Sequence, residues 1–143
     1  MAEPTSCCAV PGGYCARVDA LFNLPGVHVT EVGWRTDGDQ VAVDRLVLGV
    51  ETGPGPVGCP GCGVVAASHG RRVRRLHDIP AFGAPVELVW RVRRYRCLES
   101  LCAGGVFTEE HDLAVARAKL TTRAAWWAIG CIQRDTEVFL SSR

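Results

Sequence analysis

Two pairs of cysteines limit the possible folds of this chain more than any other feature. They are Cys59-Pro-Gly-Cys62 and Cys97-Leu-Glu-Ser-Leu-Cys102. The first pair has Pro and Gly between its thiols, and Gly gives the backbone the freedom that a tight turn around a metal needs. Two such turns separated by a hairpin bring four thiolates together in a tetrahedron, which is the arrangement of a closed structural zinc site. We therefore expect one structural Zn²⁺ at Cys59, Cys62, Cys97 and Cys102.

Two alternatives compete with the zinc site. A Cys-x2-Cys pair also serves thiol redox chemistry, but thioredoxin-like proteins place it between a strand and a helix of a βαβ unit, and no such unit is evident here. Buried cysteines that share a core by coincidence are the other alternative. The other four cysteines do not have the spacing of a metal site as clearly as these two pairs do; they are Cys7, Cys8, Cys15 and Cys131. The role of the first three stays open.

Composition narrows the class of protein. The 143 residues suffice for one compact domain, and 48% hydrophobic residues with 22% charged residues exclude wholesale disorder. The N-terminus shows no basic segment before an apolar stretch, and the longest uncharged run, residues 52–68, is broken by glycines and prolines. We expect a soluble protein in the cytoplasm with no membrane association.

Charge is unevenly distributed along the chain. The net charge is only +1, yet residues 59–102 contain eight arginines and three acidic residues. A basic middle in a neutral protein is typical of a binding site for an anionic partner, although a solvated arginine surface that balances acidic flanks is the simpler alternative. The eight candidate nucleic-acid contacts are Arg71, Arg72, Arg74, Arg75, Arg91, Arg93, Arg94 and Arg96.

The pattern of apolar residues predicts an α+β fold with β-hairpins and a C-terminal helix. Residues 27–34 and 41–50 are β-rich and flank a turn at Thr36–Asp39. In residues 86–97 apolar side chains alternate, which places Arg91 and Arg93 on the opposite face of that strand. Thr121 or Thr122 can cap a following helix that contains the adjacent Trp126 and Trp127.

We divide the chain into three parts. Residues 1–20 form a poorly ordered lead-in, residues 21–110 a β-rich domain with a zinc ribbon at 57–107, and residues 111–143 a helical segment. His69 and His77 lie between the two cysteine pairs, and we interpret them as hydrogen-bonded surface or turn histidines in preference to metal ligands or phosphate contacts.

An ordered series of short motifs resembles the N-terminal zinc finger of the ISL-three-type insertion-sequence transposases of bacteria. It comprises Cys59-Pro-Gly-Cys62-Gly, Ser68-His-Gly70, Arg74-Arg-Leu-His-Asp-Ile-Pro80, Pro85-Val-Glu-Leu88, Arg93-Arg-Tyr-Arg-Cys97 with Cys102, and Phe107-Thr-Glu109. The resemblance extends from about Phe22 to about Asp135. It implies that the four cysteines are the zinc ligands and that residues 121–135 begin a helix-turn-helix.

The resemblance implies a module that binds double-stranded DNA at a transposon end. The family's catalytic core is an RNase H-like domain with three carboxylates, and 143 residues leave no room for it, so we expect no catalytic residues and no enzyme activity. Thr136–Arg143 departs from the family pattern in the manner of a truncated or frameshifted tail. The alternative function is a zinc-ribbon module for protein contacts, with a homodimer or a transposase protomer held through Trp126 and Trp127.

Overall fold

The computed structural model describes residues 13–36 and 44–141, without the side chains of residues 138–141. These described residues form five strands and two helices, so the predicted α+β class is confirmed. The elements are α1 (Ala16–Phe22), β1 (Val27–Arg35), β2 (Arg45–Thr52), β3 (Ala67–Ala81), β4 (Ala84–Arg96), β5 (Val106–Thr108) and α2 (Thr122–Ser141).

One twisted sheet combines two antiparallel hairpins in the order β1-β2-β4-β3. The hairpin of β1 and β2 joins the hairpin of β3 and β4 through a parallel pairing in which Leu46 lies opposite Val86 and Val50 opposite Trp90. The short β5 continues along β4 where β2 has ended, with Arg94 opposite Thr108. The two cysteine turns therefore lie at one end of a sheet that also includes the first hairpin.

The hydrophobic core lies on one side of this sheet, which we call the core face. As predicted, Val86, Leu88, Trp90 and Val92 alternate along β4 and are at most 3% exposed. They pack with Leu46, Leu48 and Val50 of β2, and residues such as Phe22, Leu113 and Ala114 cover them. Burial of this continuous apolar layer is the main stabilising contribution of the sheet.

The predicted lead-in differs from the structure where the two overlap. Residues 16–22 form helix α1, which ends at Asn23 in the left-handed conformation (φ 48°). The reason is local packing, because Phe22 is buried in the core and Val18, one helical turn earlier, packs against it. Residues 1–12, with Cys7 and Cys8, lie outside the described residues, as does most of the predicted turn at Thr36–Asp39.

Helix α2 begins where the sequence predicts, and Thr121 is its N-cap. The Thr121 hydroxyl accepts a hydrogen bond from the amide of Ala124 at 3.1 Å and donates one to Asp78 Oδ1 at 2.7 Å. Arg123 binds Asp78 through Nε and donates from Nη1 to the carbonyls of Phe22 and Asn23. Arg123 thus connects α2 both to the buried carboxylate of Asp78 on β3 and to the end of α1.

Beyond its first turn α2 extends through the segment in which the sequence departs from the family pattern. Trp126 and Trp127 are 69% and 45% exposed, so no other part of the described chain covers them. Within the described residues, no helix is long and apolar enough to cross a membrane. The proposed division into three parts stays a prediction, although the single sheet unites the first hairpin with the ribbon that contains the cysteines.

Candidate metal centre

The two cysteine turns are built by the backbone at the open end of the β3–β4 hairpin. In the first turn the amide of Gly63 donates to the carbonyl of Cys59 and the amide of Cys59 donates to Val64, each at 2.8 Å. In the second turn the amide of Cys102 donates to the carbonyl of Glu99, while Cys97 donates to Gly105. Gly63 and Gly105 have positive φ angles of 74° and 57°, which only glycine adopts without strain.

These turns bring the sulfur atoms of Cys59, Cys62, Cys97 and Cys102 within 4.8 Å of one another. Cys59 Sγ lies 3.8 Å from Cys102 Sγ, and Cys62 Sγ lies 3.6 Å from Cys97 Sγ. A tetrahedral zinc site with Zn–S bonds of about 2.3 Å has sulfur–sulfur edges of about 3.8 Å. The cluster therefore fits one structural Zn²⁺, and the predicted cofactor is confirmed.

Backbone amides point at the sulfurs, as they do where thiolates must be stabilised. Gly61 donates to Cys59 Sγ at 3.4 Å and Gly104 to Cys102 Sγ at 3.3 Å. The amides of Gly61 and Cys62 lower the pKa of the Cys59 thiol to about 7. Four sulfurs close together repel each other as thiolates, and a divalent cation removes this repulsion.

Gly104 is the glycine at which an added side chain would disturb the metal centre most. A Cβ atom there would lie 2.8 Å from Cys59 Sγ and 3.2 Å from Cys102 Sγ, closer than side chains approach each other. At Gly61 a Cβ atom would be 3.3 Å from Cys102 Sγ. The two glycines leave the space for sulfur, so the cradle is shaped for four thiolate ligands and has no open position for a reacting molecule.

The other candidate ligands lie elsewhere. Among the described residues, the cluster contains the four cysteines alone, and His69 and His77 do not belong to it. The backbone of His77 pairs with Lys119 and Thr121, which fixes the edge of β3. Cys15 is buried, and Cys131 accepts a hydrogen bond from Arg134 on α2.

The structure distributes the eight predicted arginines over both faces of the sheet. Arg91 lies opposite Val73, and Arg93 opposite Arg71, so their side chains share the face away from the core. We call this side the open face. It consists of Glu31, Gly33, Arg35, Arg45, Val47, Gly49, Glu51, Arg71, Val73, Arg75, His77, Glu87, Val89, Arg91 and Arg93.

One buried carboxylate organises part of the open face. Glu87 is only 5% exposed and pairs with Arg75 at 2.7 Å, and with Arg35 and Arg45 at 3.1 Å each. Burial raises the pKa of Glu87, but the three guanidiniums outweigh this effect and hold the pKa at about 2. Three guanidiniums thus converge on one carboxylate and are held by it.

A second carboxylate, that of Glu51, binds the arginines at the other end of the open face. Glu51 forms ion pairs with Arg71 and, at 3.9 Å, with Arg93. It also accepts a hydrogen bond from the Tyr14 hydroxyl at 2.7 Å, and the Tyr14 ring stacks on His28. Arg93 further donates to the carbonyl of Thr52 and is 17% exposed, which makes it largely a structural residue.

The remaining predicted arginines face the core side of the sheet. Arg74 lies over the Trp90 ring at 5.3 Å and donates to the carbonyls of Val115 and Ala118. Arg72, Arg94 and Arg96 lie on the same side. The side chains of four of the eight arginines form no hydrogen bond or ion pair within the described part of the chain: Arg72, Arg91, Arg94 and Arg96.

Sequence reasoning missed Arg35 and Arg45 because they lie outside the interval between the cysteines. Their positions at the end of β1 and the start of β2 place them opposite each other in the register. The available signal was the alternation of the first hairpin, which assigns Gly33 and Arg35 to one face and Trp34 to the other. In the sequence Glu87 is only one of three acidic residues of the basic interval, whereas in the structure it orients three arginines.

Comparisons with known proteins identify the segment around the cysteines. Residues 55–102 match the family model of the zinc-finger of transposase IS204/IS1001/IS1096/IS1165. This match covers a shorter part of the chain than the resemblance found in the sequence motifs. Searches of curated proteins and of solved structures gave no significant match. The segment from residue 55 to residue 102 is thus similar to the zinc-finger of the IS204/IS1001/IS1096/IS1165 transposases.

Proposed function

We propose that the described residues form a zinc-stabilised, non-catalytic module that binds double-stranded DNA at the ends of a bacterial insertion sequence and works in the cytoplasm. The family of residues 55–102 supports the transposase origin. One observation carries the proposal, namely the concentration of arginines on the hairpin that the cysteine centre closes. Four of them, Arg72, Arg91, Arg94 and Arg96, have no internal partner in the described structure.

The free arginines suit contacts with phosphates. A guanidinium that is not paired internally retains all its donors for a charge-assisted, bidentate bond to a phosphate. Arg91, Arg72 and Arg96 are exposed at different places along β3 and β4. Such contacts give affinity that falls with salt and that depends little on sequence.

Sequence recognition requires more than these contacts. Base readout commonly uses a helix in the major groove, and we propose that α2 is the first helix of a helix-turn-helix. The described residues offer contacts mainly to phosphates, so we propose that they bind DNA weakly and mostly nonspecifically.

A gel-shift titration tests the proposal with the zinc-loaded full chain. Duplexes that carry the transposon end and scrambled duplexes are compared at two salt concentrations. The proposal predicts binding that weakens as salt rises, with a small preference for the transposon end. Absence of binding to either duplex at low salt contradicts it.

A second function, protein contact through α2, is favoured by the exposed apolar residues of that helix. Trp126 and Trp127 are accompanied by Ile129 and Ile132, which are 45% and 66% exposed. Apolar side chains that follow each other along a helix and remain exposed typically mark an interaction surface. The occupant in this proposal is a second copy of the chain or another transposase protomer.

Sedimentation of the full chain and of the double variant Trp126→Ser/Trp127→Ser tests the second function. It predicts a dimer for the natural sequence and a monomer for the variant, with unchanged zinc content. The variant Leu21→Ser, at another exposed apolar residue, serves as the control and should sediment like the natural chain. A natural chain that stays monomeric across the concentration range contradicts protein contact between copies.

A further inference from the structure

Both sides of the sheet carry arginines, but the two sides differ in how many acidic residues lie beside them. On the opposite side, Arg72, Arg74 and Arg117 line a groove of about 900 Å³. Three acidic residues line the same groove and cancel that charge: Glu109, Glu110 and Asp112. A polyanion gains little from a groove with balanced charges, so the groove is the weaker candidate for DNA.

The open face has a surplus of positive charge across its whole width. It contains six arginines and three glutamates, and its glutamates Glu51 and Glu87 lie beneath the arginines that they pair with. Each of the four long strands contributes an accessible arginine, Arg35 on β1, Arg45 on β2, Arg91 on β4 and Arg75 on β3. Three of these guanidiniums, those of Arg35, Arg45 and Arg75, converge on Glu87 and form one basic cluster, while Arg91 lies farther along β4.

The arginines of the open face are held in place before any partner arrives. Arg75 uses one of its nitrogens on Glu87 and remains 60% exposed, and Arg35 remains 41% exposed. Their other donors face solvent. Because their side chains are already ordered, binding a phosphate costs less conformational entropy than it does for a free arginine.

The centre of the open face is flat. Gly33 places no side chain there and has open space above it, and Val47 and Val89 are small. The space above Gly49 is filled by Glu31 and Thr30, so Gly49 lies below the surface. Together with Arg35, Arg91 and Glu31, these glycines and valines line a shallow depression of about 300 Å³. A depression with an apolar floor and arginines at its rim matches a sugar-phosphate backbone, with sugars at the floor and phosphates at the rim.

We propose that duplex DNA docks on the open face, with its backbone over Gly33 and Val89 and with Arg35, Arg45, Arg75 and Arg91 at the phosphates. This assignment rests on the proposed DNA-binding function. It adds Arg35 and Arg45 to the contact set and takes Arg72, Arg94 and Arg96 out of it, because their side chains lie on the opposite side of the sheet. It makes Glu87 a positioning residue. A second copy of the chain is a poor occupant of this face because two surfaces with a surplus of positive charge repel each other.

Gly33 provides a test that leaves every charge in place. A Cβ atom at Gly33 meets nothing within 4 Å, so Gly33→Leu fills the depression without disturbing the fold. Gly55→Leu is the matched control, because Gly55 also has open space around it and lies outside the face. Duplex affinity should fall about tenfold for Gly33→Leu, the loss expected for about one phosphate contact near 0.1 M salt, and should stay unchanged for Gly55→Leu.

A charge variant measures the same surface independently. Arg91→Gln should reduce the log–log slope of affinity against salt by about 0.9, while Arg17→Gln, on the exposed side of α1, should leave the slope unchanged. Thermal unfolding and zinc content confirm that the variants remain folded.

The outcomes separate this inference from the function on which it rests. If the natural chain binds duplex DNA while Gly33→Leu and Arg91→Gln bind equally well, the open face is not the docking surface. If the natural chain does not bind duplex DNA at low salt, both the function and the surface are overturned. Binding of an acidic peptide in place of DNA, abolished by Gly33→Leu, would assign the face to a protein partner.

Discussion

At the scale of single residues, the metal centre depends as much on two glycines as on four cysteines. The spacing of the cysteines predicts which thiols meet, because a turn of two or four residues fixes the distance between its ends. It does not predict that the amide of Gly104 donates to Cys102 Sγ or that Gly104 leaves room for Cys59 Sγ. Those contacts arise only when the two turns face each other across the hairpin.

The variant Gly104→Ala should weaken zinc binding about tenfold, the lower end of the effects seen when groups around a metal's ligands are changed. The added Cβ atom would lie 2.8 Å from Cys59 Sγ, so one ligand must move. Competition with a chromophoric chelator measures the zinc affinity. Gly55→Ala, which has open space, is the control, and equal zinc affinities for the two variants would show that the turn adapts freely.

Glu87 gives the stability of the sheet a specific dependence on pH. Its pKa of about 2 lies below the ordinary value of 4.5, so the ionised carboxylate stabilises the fold above pH 4.5 and this contribution disappears as pH falls towards 2. The variant Glu87→Gln lacks the contribution at every pH. The difference in the free energy of unfolding between the two proteins should therefore shrink on acidification.

Urea denaturation at several pH values measures that difference. Both proteins release zinc alike in acid because their thiolates are protonated, so the difference isolates Glu87. The exposed Glu110→Gln serves as the control and should show little difference at any pH. A difference between Glu87→Gln and the natural chain that stays constant from pH 7 to pH 3 would contradict the role given to the three arginines.

At the scale of elements, local patterns predict the strands and the last helix but not the way in which they join. The alternation of Val86, Leu88, Trp90 and Val92 defines a half-buried strand whatever its neighbours are. The parallel pairing of β2 with β4 depends on which apolar faces meet in the core, and the sequence contains no local signal for it. Helix α1 was missed because seven residues give too few turns for a periodic pattern.

The junction of β3 with α2 rests on Thr121. Thr121→Val removes the helix cap and one of the hydrogen bonds to the buried Asp78, and should lower the free energy of unfolding by about 1–3 kcal/mol. Thr122→Val, at the exposed neighbouring position, is the matched control and should have a small effect. Equal urea midpoints for both variants would show that Arg123 alone holds Asp78 and the helix.

At the scale of the whole molecule, the sequence predicts a basic middle but not its distribution. Strand pairing sends Arg72, Arg74, Arg94 and Arg96 to one side and Arg71, Arg75, Arg91 and Arg93 to the other. It also adds Arg35 and Arg45 to the second group through Glu87. Charge counted along the chain cannot show this, because cross-strand register decides which side chains are neighbours.

The proposed binding of DNA depends on the bound zinc, since the cysteine centre closes the hairpin that carries most of the arginines. The most direct test is the affinity of the full chain for duplex DNA before and after removal of zinc by a chelator, with zinc restored at the end. We expect affinity to fall about tenfold or more on removal and to recover on restoration, because metal binding and folding of the ribbon share one free energy. A metal-free chain that binds duplex DNA as tightly as the zinc-loaded chain would contradict the account.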